Sequence, residues 1–146
     1  MIAVDTNILV YAHREDAPFH EVAIERVKRL AEGQAIWAIP WPCLYEFLTI
    51  VTHPRVYLPP TPLSRALDQV DAWLGSPTLT LLSEAPGHWA TLCAVAAEGR
   101  VEGGMFHAAR VAAICRQHGV RELWSADRDY SRFAKLVVIN PLLPKT

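Results

Sequence analysis

The stretch Met1-Ile2-Ala3-Val4-Asp5-Thr6-Asn7 decides the fold of this chain. It contains a short apolar run, Ile2 to Val4, followed at once by Asp5, the only charged residue between Met1 and Tyr11. A short apolar run of this kind is typical of a strand buried on both faces of a parallel sheet. An acid directly after such a strand lies at the carboxyl edge of the sheet, where α/β proteins form their ligand crevices.

The rest of the chain alternates short apolar strands with amphipathic helices. In the helical segments apolar residues recur every three or four positions. The pattern predicts further strands over 35–39, 78–82, 121–125 and 136–139, and helices over 19–32, 42–52, 61–74, 88–98 and 105–118. Thr61 is the predicted hydroxyl cap of the third helix, with Pro62 at its first position. The alternation predicts an α/β fold, a three-layer α/β/α sandwich with a central parallel sheet, in a single domain spanning 1–146.

The composition is typical of a folded domain. Hydrophobic residues make up 51% and charged residues 20% of the 146 positions, which excludes an intrinsically disordered chain. The formal net charge of −1 gives no support for bulk electrostatic attraction to nucleic acid or membrane. The three cysteines, Cys43, Cys93 and Cys115, are predicted to be buried thiols in a reducing compartment. Since the sequence shows no targeting or membrane-spanning segment, we expect a cytoplasmic protein.

Several familiar motifs are absent from the sequence. There is no G-x-G-x-x-G loop, no Walker loop and no G-x-S-x-G elbow, which leaves dinucleotide-binding, P-loop and serine-hydrolase functions without support. The six histidines form no i, i+4 pair and there is no C-x-x-C, so a structural zinc site is not expected.

Four acids stand in positions where charge is unusual. Asp5 is the first of them. Glu46 is the only charged residue in an apolar helical segment, 41–51. Asp127 and Asp129 follow the strand predicted over 121–125. Because the carboxyl ends of parallel strands share one edge, we expect Asp5 and Asp127 to meet there, with Glu46 within reach. A helix cap is the alternative role for Asp5 and Asp127, and an arginine partner is the alternative explanation of Glu46.

Convergence of these acids would favour a metal site. Two carboxylates ~5 Å apart repel by about 3 kcal/mol at an effective dielectric near 20. Without a cation such acids would take up protons, with raised pKa values. Mg²⁺ or Mn²⁺ suits a site made only of carboxylates. An ion held in this way activates water and binds a phosphate, which is the chemistry of metal-dependent phosphodiester hydrolysis.

Three segments of the sequence together resemble the PIN domain. They are Ile2-Ala3-Val4-Asp5-Thr6-Asn7-Ile8-Leu9-Val10-Tyr11, Leu44-Tyr45-Glu46-Phe47 and Ser125-Ala126-Asp127-Arg128-Asp129-Tyr130-Ser131-Arg132-Phe133. In detail the chain is similar to the VapC-type toxins of bacterial toxin–antitoxin pairs. This resemblance implies a PIN-like sandwich and a Mg²⁺- or Mn²⁺-dependent endoribonuclease that hydrolyses RNA. It also implies a homodimer, and neutralisation by a small cognate VapB-type antitoxin.

The resemblance also implies roles for particular residues. Asp5, Glu46 and Asp127 would be the catalytic metal ligands, and Glu46 would orient the metal or a water. Asp129 would be an outer catalytic acid. The hydrogen-bonding neighbours of the same cluster, which would contact the substrate, are Thr6, Asn7 and Ser125.

One departure from the family pattern falls at position 108. The family usually carries an aspartate here, in a pattern like His-Asp-Ala, whereas this chain reads His107-Ala108-Ala109. Loss of a metal-ligating acid should weaken metal binding and catalysis by orders of magnitude. Three explanations remain open: an engineered inactive variant, a natural non-cleaving member, or substitution by His107 or Glu102. Substitution by His107 is disfavoured, because successive helical residues point about 100° apart.

Two other functions stand beside the ribonuclease. A non-catalytic module of the same fold, which binds antitoxin or RNA, would explain Ala108. An aspartyl-phosphate phosphatase built on Asp5 is disfavoured, because Asn7 replaces the second acid that such chemistry commonly needs.

The last third of the sequence has a basic bias. We interpret it either as a surface that positions the RNA backbone or as a set of solvated helix faces. The residues are Arg110, Arg116, Arg121, Arg128, Arg132 and Lys135. Tyr11, Trp41 and Tyr45 are candidates for base stacking, with core packing as the alternative. The apolar stretch 41–51 is predicted to form part of a groove for an antitoxin helix.

Overall fold

Five parallel strands form one sheet at the centre of the molecule. The computed structural model describes residues 1–144. The strands lie in the order β3-β2-β1-β4-β5, and every neighbouring pair is parallel. They are β1 (Ile2–Val4), β2 (Trp37–Pro40), β3 (Leu79–Leu82), β4 (Glu122–Trp124) and β5 (Val137–Ile139).

Six α-helices connect the strands. They are α1 (Thr6–His13), α2 (His20–Glu32), α3 (Trp41–Val51), α4 (Leu63–Leu74), α5 (His88–Gly99) and α6 (Phe106–Gln117). Two short 3₁₀ helices lie before α6 and after β4, at Gly103–Met105 and Arg128–Arg132. None of the helices within residues 1–144 combines the length and apolar content needed to cross a membrane.

The path of the chain through the sheet places the helices on both faces. The first half runs from β1 outward to β3, and the chain then returns across the sheet to β4 and β5. Because crossovers between parallel strands are right-handed, this reversal puts α1 to α4 on one face and α5 and α6 on the other. The predicted three-layer α/β/α sandwich is therefore confirmed. The reversal also makes the β1–β4 boundary the point where a ligand crevice is expected.

The central strands are buried on both faces. Ala3 and Val4 of β1, Leu123 of β4 and the residues 37–39 of β2 have no exposed surface. Ala3 lies between Ala38 of β2 and Leu123 of β4 in register. Burial of this kind explains the uninterrupted apolar runs in the sequence. The parallel pairing of β1 with β4 places their carboxyl ends side by side.

Two local expectations are wrong. Pro62, rather than Thr61, is the residue before α4, and it makes no side-chain cap. The Thr61 hydroxyl is buried and accepts hydrogen bonds from Arg14 instead, at 3.2 Å. Cys43 and Cys115 are buried free thiols as predicted, but Cys93 is exposed. The helix α5 is apolar on nearly every side, so its sequence does not show which side faces the core. Only Val95 and Gly99 of this helix are buried.

Candidate active site

Asp5 is a buried carboxylate at the carboxyl end of β1. Only 3% of the residue is exposed. Its Oδ2 accepts hydrogen bonds from Ser125 Oγ at 2.7 Å and from Asn7 Nδ2 at 3.4 Å. Its Oδ1 accepts from Cys43 Sγ and Tyr130 OH, both at 3.3 Å. Burial raises the pKa of Asp5, and the Ser125 hydrogen bond opposes that rise. Although Asp5 is the N-cap residue of α1, its side chain makes no capping hydrogen bond.

Asp127 is joined to Asp5 through Ser125. The Asp127 backbone N–H donates to Ser125 Oγ at 3.0 Å, and the same hydroxyl donates to Asp5. Asn7 strengthens this link, because its Oδ1 accepts from the backbone N–H of Ala126 at 3.0 Å. The carboxylate of Asp127 also accepts from Asp129 N at 2.9 Å and caps the 3₁₀ helix that follows. The helix-cap interpretation is thus confirmed for Asp127, together with its connection to Asp5.

Glu46 reaches the cluster from α3. Thr6 Oγ1 lies 3.4 Å from both Glu46 Oε2 and the Cys43 carbonyl oxygen, and its single proton can be donated to either. The second partner of Glu46 is the imidazole of His107, whose Nε2 is in direct ion-pair contact with Oε2. The hydrogen bond from His107 lowers the pKa of Glu46, and the Glu46 carboxylate raises the pKa of His107. The partner of this mid-helix acid is therefore a histidine and not an arginine.

Sequence reasoning named His107 as a possible substitute for the missing acid but missed its role as the partner of Glu46. Its position on α6 is rotated by about 100° from that of Ala108, but the imidazole is long enough to reach Glu46. The signal was present in the sequence: Glu46 on an apolar helix required a cationic partner, and His107 lies in the segment where the resemblance located an acid. Glu102, the other residue considered, lies before the 3₁₀ helix Gly103–Met105 and is not part of this network.

An open cavity of about 580 Å³ lies over the cluster. The acids Glu46, Asp127 and Asp129 line it together with Tyr45 and His107. Its wall also includes the methyl group of Ala108, a residue that is only 4% exposed. The predicted acids therefore share one crevice, with buried Asp5 connected to it by hydrogen bonds.

The donor set fits a hard divalent cation in its chemistry. Asp5, Glu46 and Asp127 offer carboxylate oxygens, the ligands that Mg²⁺ and Mn²⁺ prefer. Buried Asp5 carries a desolvated charge that a cation would offset. Within residues 1–144, however, no three His, Cys, Asp or Glu side chains lie close enough together to hold an ion as they stand. In addition, Glu46 is held by His107, and position 108 has no side-chain oxygen.

Half of the six predicted basic residues are paired with acids. Arg116 and Lys135 both contact Glu98, at 2.7 and 3.8 Å. Arg110 lines the cavity but is bound to Glu84 at 2.5 Å. These contacts favour the interpretation of solvated helix faces for these three residues.

The aromatic candidates differ from one another. Tyr45 is 61% exposed, lines the cavity and stacks on Trp41 with ring centroids 5.9 Å apart. Tyr11 packs instead against Phe19. Tyr45 is therefore the aromatic side chain best placed to stack on a base above the acids.

Comparison with known proteins agrees with this architecture. Residues 2–136 match the PIN domain family. The chain is 34% identical to ribonuclease VapC43 of Mycobacterium tuberculosis over 97% of this chain and 96% of that protein. Two solved structures share the fold at 17% identity. VapC20 of M. tuberculosis, described as a sarcin-ricin loop cleaving toxin, has a TM-score of 0.67 over 94% of this chain and 97% of its own. VapBC2 of Rickettsia felis, bound to a promoter DNA fragment, has a TM-score of 0.69 over 95% and 98%.

An acidic crevice at the β1–β4 boundary of a parallel α/β/α sandwich is thus the architecture of a PIN domain. The chain belongs to the PIN-domain family, and within it to the VapC ribonucleases. The resemblance found in the sequence is confirmed. Ribonucleases of this family generally depend on a divalent metal.

Proposed function

We propose that this protein is a toxin that hydrolyses RNA phosphodiester bonds with Mg²⁺ or Mn²⁺ held by Asp5, Glu46 and Asp127. The observation that carries the proposal is the hydrogen-bonded path from Asp127 through Ser125 to buried Asp5. It joins the carboxyl ends of β4 and β1 at the edge where Glu46 also arrives. An aspartyl-phosphate phosphatase has no comparable support, since Asn7 is engaged in binding Asp5 and Ser125.

The bound ion would bind the phosphodiester and lower the pKa of the attacking water. The chain's own residues prepare that site. Four donors hold the Asp5 carboxylate in one orientation, so its charge is fixed before substrate arrives. Thr6 orients Glu46, and Asn7 and Ser125 fix the Ala126–Asp127 backbone. Asp129 lies at the outer wall of the cavity, and Tyr45 is available to stack on a base.

A non-catalytic binding module is the second candidate, and two observations favour it. Ala108 removes a family acid, and His107 holds Glu46 in an ion pair. Both features lower the affinity of the site for a cation. On the first proposal the chain as it stands is a slow nuclease, whereas on the second it binds RNA or an antitoxin without hydrolysis.

Restoration of the acid separates the two candidates. Ala108→Asp should cleave RNA in Mn²⁺, with the activity abolished by EDTA and by a further Asp5→Asn change. Ala108→Asn is the matched control, because it has the same size without the charge. Absence of EDTA-sensitive cleavage in the Ala108→Asp protein would refute the nuclease proposal and leave the binding module.

The partners proposed for the protein are RNA, a VapB-type antitoxin and a second copy of the chain, in the cytoplasm. The solved VapBC2 structure, whose name includes an antitoxin, has this fold. The exposed Trp41 and Tyr45 give α3 an apolar outer surface of the kind that accepts an amphipathic helix. Light scattering of the purified chain tests the dimer, and co-purification with the product of a neighbouring antitoxin gene tests the complex.

A further inference from the structure

A second cavity of about 670 Å³ lies beside the first. Both cavities are lined by Asp127, so a phosphodiester at this acid would have one cavity on each side. The second is bounded by the 3₁₀ helix Arg128–Arg132, by the segment leading into β5 and by the turn after β5. The proposed function does not use it.

The walls of this cavity are mainly apolar, with a few polar groups. Leu136, Val138 and Leu143 supply apolar surface. Asn140 accepts a hydrogen bond from Leu142 N through Oδ1 at 3.0 Å, while its Nδ2 makes no hydrogen bond within residues 1–144. A concave, mostly apolar site of several hundred Å³ with a small number of polar groups is the usual form of a small-ligand pocket.

The cavity also has a basic residue in its lining. The cavity wall includes Arg128, the residue directly after Asp127. No acid forms an ion pair with Arg128 in the part of the chain that the structure describes. Unlike Arg110 and Arg116, this guanidinium is free to contact a phosphate.

We propose that this cavity binds the nucleobase of the nucleotide next to the phosphodiester at Asp127. Single-stranded RNA is recognised through bases turned out of the stack, against apolar surface and with their edges hydrogen-bonded. Leu136, Val138 and Leu143 supply the surface, the Asn140 amide contacts the base edge and Arg128 contacts the phosphate. The cavity therefore sets the base preference of the site. This inference rests on the proposed function.

The experiment compares nucleotides with a probe that lacks the base. The chain is titrated calorimetrically with AMP, GMP, CMP, UMP and ribose 5-phosphate in Mg²⁺ buffer. At least one nucleotide should bind about tenfold more tightly than ribose 5-phosphate, in the range of base-contact energies. Ala134→Trp, which places an indole at an exposed position of the cavity wall, should remove that difference and leave ribose 5-phosphate binding unchanged.

Ala94→Trp, at an exposed position of α5, is the control and should keep the difference. Equal binding of all five probes would overturn the inference, as would a preference that survives Ala134→Trp. The result is independent of cleavage. If the Ala108→Asp protein fails to cut RNA but the base-dependent binding is found, the nuclease proposal is lost and the base site stands.

Discussion

The imidazole of His107 on α6 and the carboxylate of Glu46 on α3 form an ion pair across the mouth of the acidic crevice. The residue after His107 is Ala108, where the family pattern has an acid. When protonated, the imidazole places a positive charge beside the acids, next to the position where the family pattern has a negative charge. It also engages one of the three carboxylates that remain for a metal.

Removal of the imidazole should strengthen metal binding. In His107→Gln the Glu46 carboxylate no longer has a cationic partner, so it is free to contact an ion. We expect Mn²⁺ affinity, measured by calorimetry, to rise about three- to tenfold, which corresponds to roughly 1 kcal/mol. His118→Gln, which removes a histidine that bonds to the Ser83 carbonyl oxygen, should leave the affinity unchanged. Weaker Mn²⁺ binding in His107→Gln would show that the imidazole supports the ion instead of competing with it.

An acid restored at position 108 should make stability depend on metal. Position 108 is only 4% exposed, so Ala108→Asp adds a desolvated charge close to other carboxylates. We expect a loss of about 2–4 kcal/mol in the free energy of unfolding in EDTA, recovered largely on addition of Mn²⁺. Ala109→Asp, at a neighbouring position with no exposed surface, should be destabilised with and without the ion. Equal stability of Ala108→Asp in EDTA and Mn²⁺ would contradict a metal at this place.

The Ser125 hydroxyl should contribute more to the free energy of unfolding than an ordinary buried hydroxyl. Its Oγ binds Asp5 and accepts hydrogen bonds from Asn7 and the Asp127 backbone. Ser125→Ala leaves these groups without a partner, and we expect a loss of about 1–3 kcal/mol in urea unfolding. In the Ala108→Asp background it should also slow RNA cleavage. Ser64→Ala, on the exposed face of α4, should change neither the free energy of unfolding nor the cleavage rate. If Ser125→Ala also changed neither, the hydrogen bonds between Asp127, Ser125 and Asp5 would contribute nothing to stability or catalysis.

The Glu84–Arg110 pair at the edge of the cavity should give a small acid sensitivity. The hydrogen bond from Arg110 lowers the pKa of Glu84. A lowered folded-state pKa contributes stability above the unfolded value near 4.5, and this contribution is lost as pH falls through the folded value. Glu84→Gln should therefore cost about 0.5 kcal/mol at pH 7, since the pair is partly exposed.

The difference between Glu84→Gln and the parent chain should shrink between pH 7 and pH 3, as pH falls through the folded-state pKa of Glu84, and should also shrink in high salt. Urea unfolding at both pH values measures it. Glu32→Gln, at an exposed residue without an ion-pair partner in residues 1–144, is the reference. A loss that persists unchanged at pH 3 would mean that the carboxylate charge is not its source.

The fold could be predicted because buried strands require uninterrupted runs of apolar residues, which are visible in the sequence. The run Ile2 to Val4 is apolar since β1 lies between two strands and two helical layers. The position of Asp5 after it followed from the geometry of parallel sheets. The start of α4 could not be obtained in the same way, because the Thr61 hydroxyl is used in a contact with Arg14, 47 residues away in sequence.

The candidate site was predictable in part for the same reason. Isolated acids at strand ends identified Asp5 and Asp127, and an acid on an apolar helix identified Glu46. That Glu46 needed a partner was predictable, but its identity was not, since it depends on how α6 packs across the crevice from α3 and on the reach of one side chain. The exposure of Cys93 was missed because α5 carries apolar residues on faces that the chain itself does not cover.

The most direct test of the metal site is the anomalous scattering of Mn²⁺ in crystals of the Ala108→Asp protein. We predict a peak in contact with carboxylate oxygens of Asp5, Glu46 and Asp127, at about 2.0–2.3 Å as for small divalent ions, with His107 displaced from Glu46. Crystals soaked to saturation in Mn²⁺ with no peak among these acids, and with the Glu46–His107 pair intact, would contradict the account.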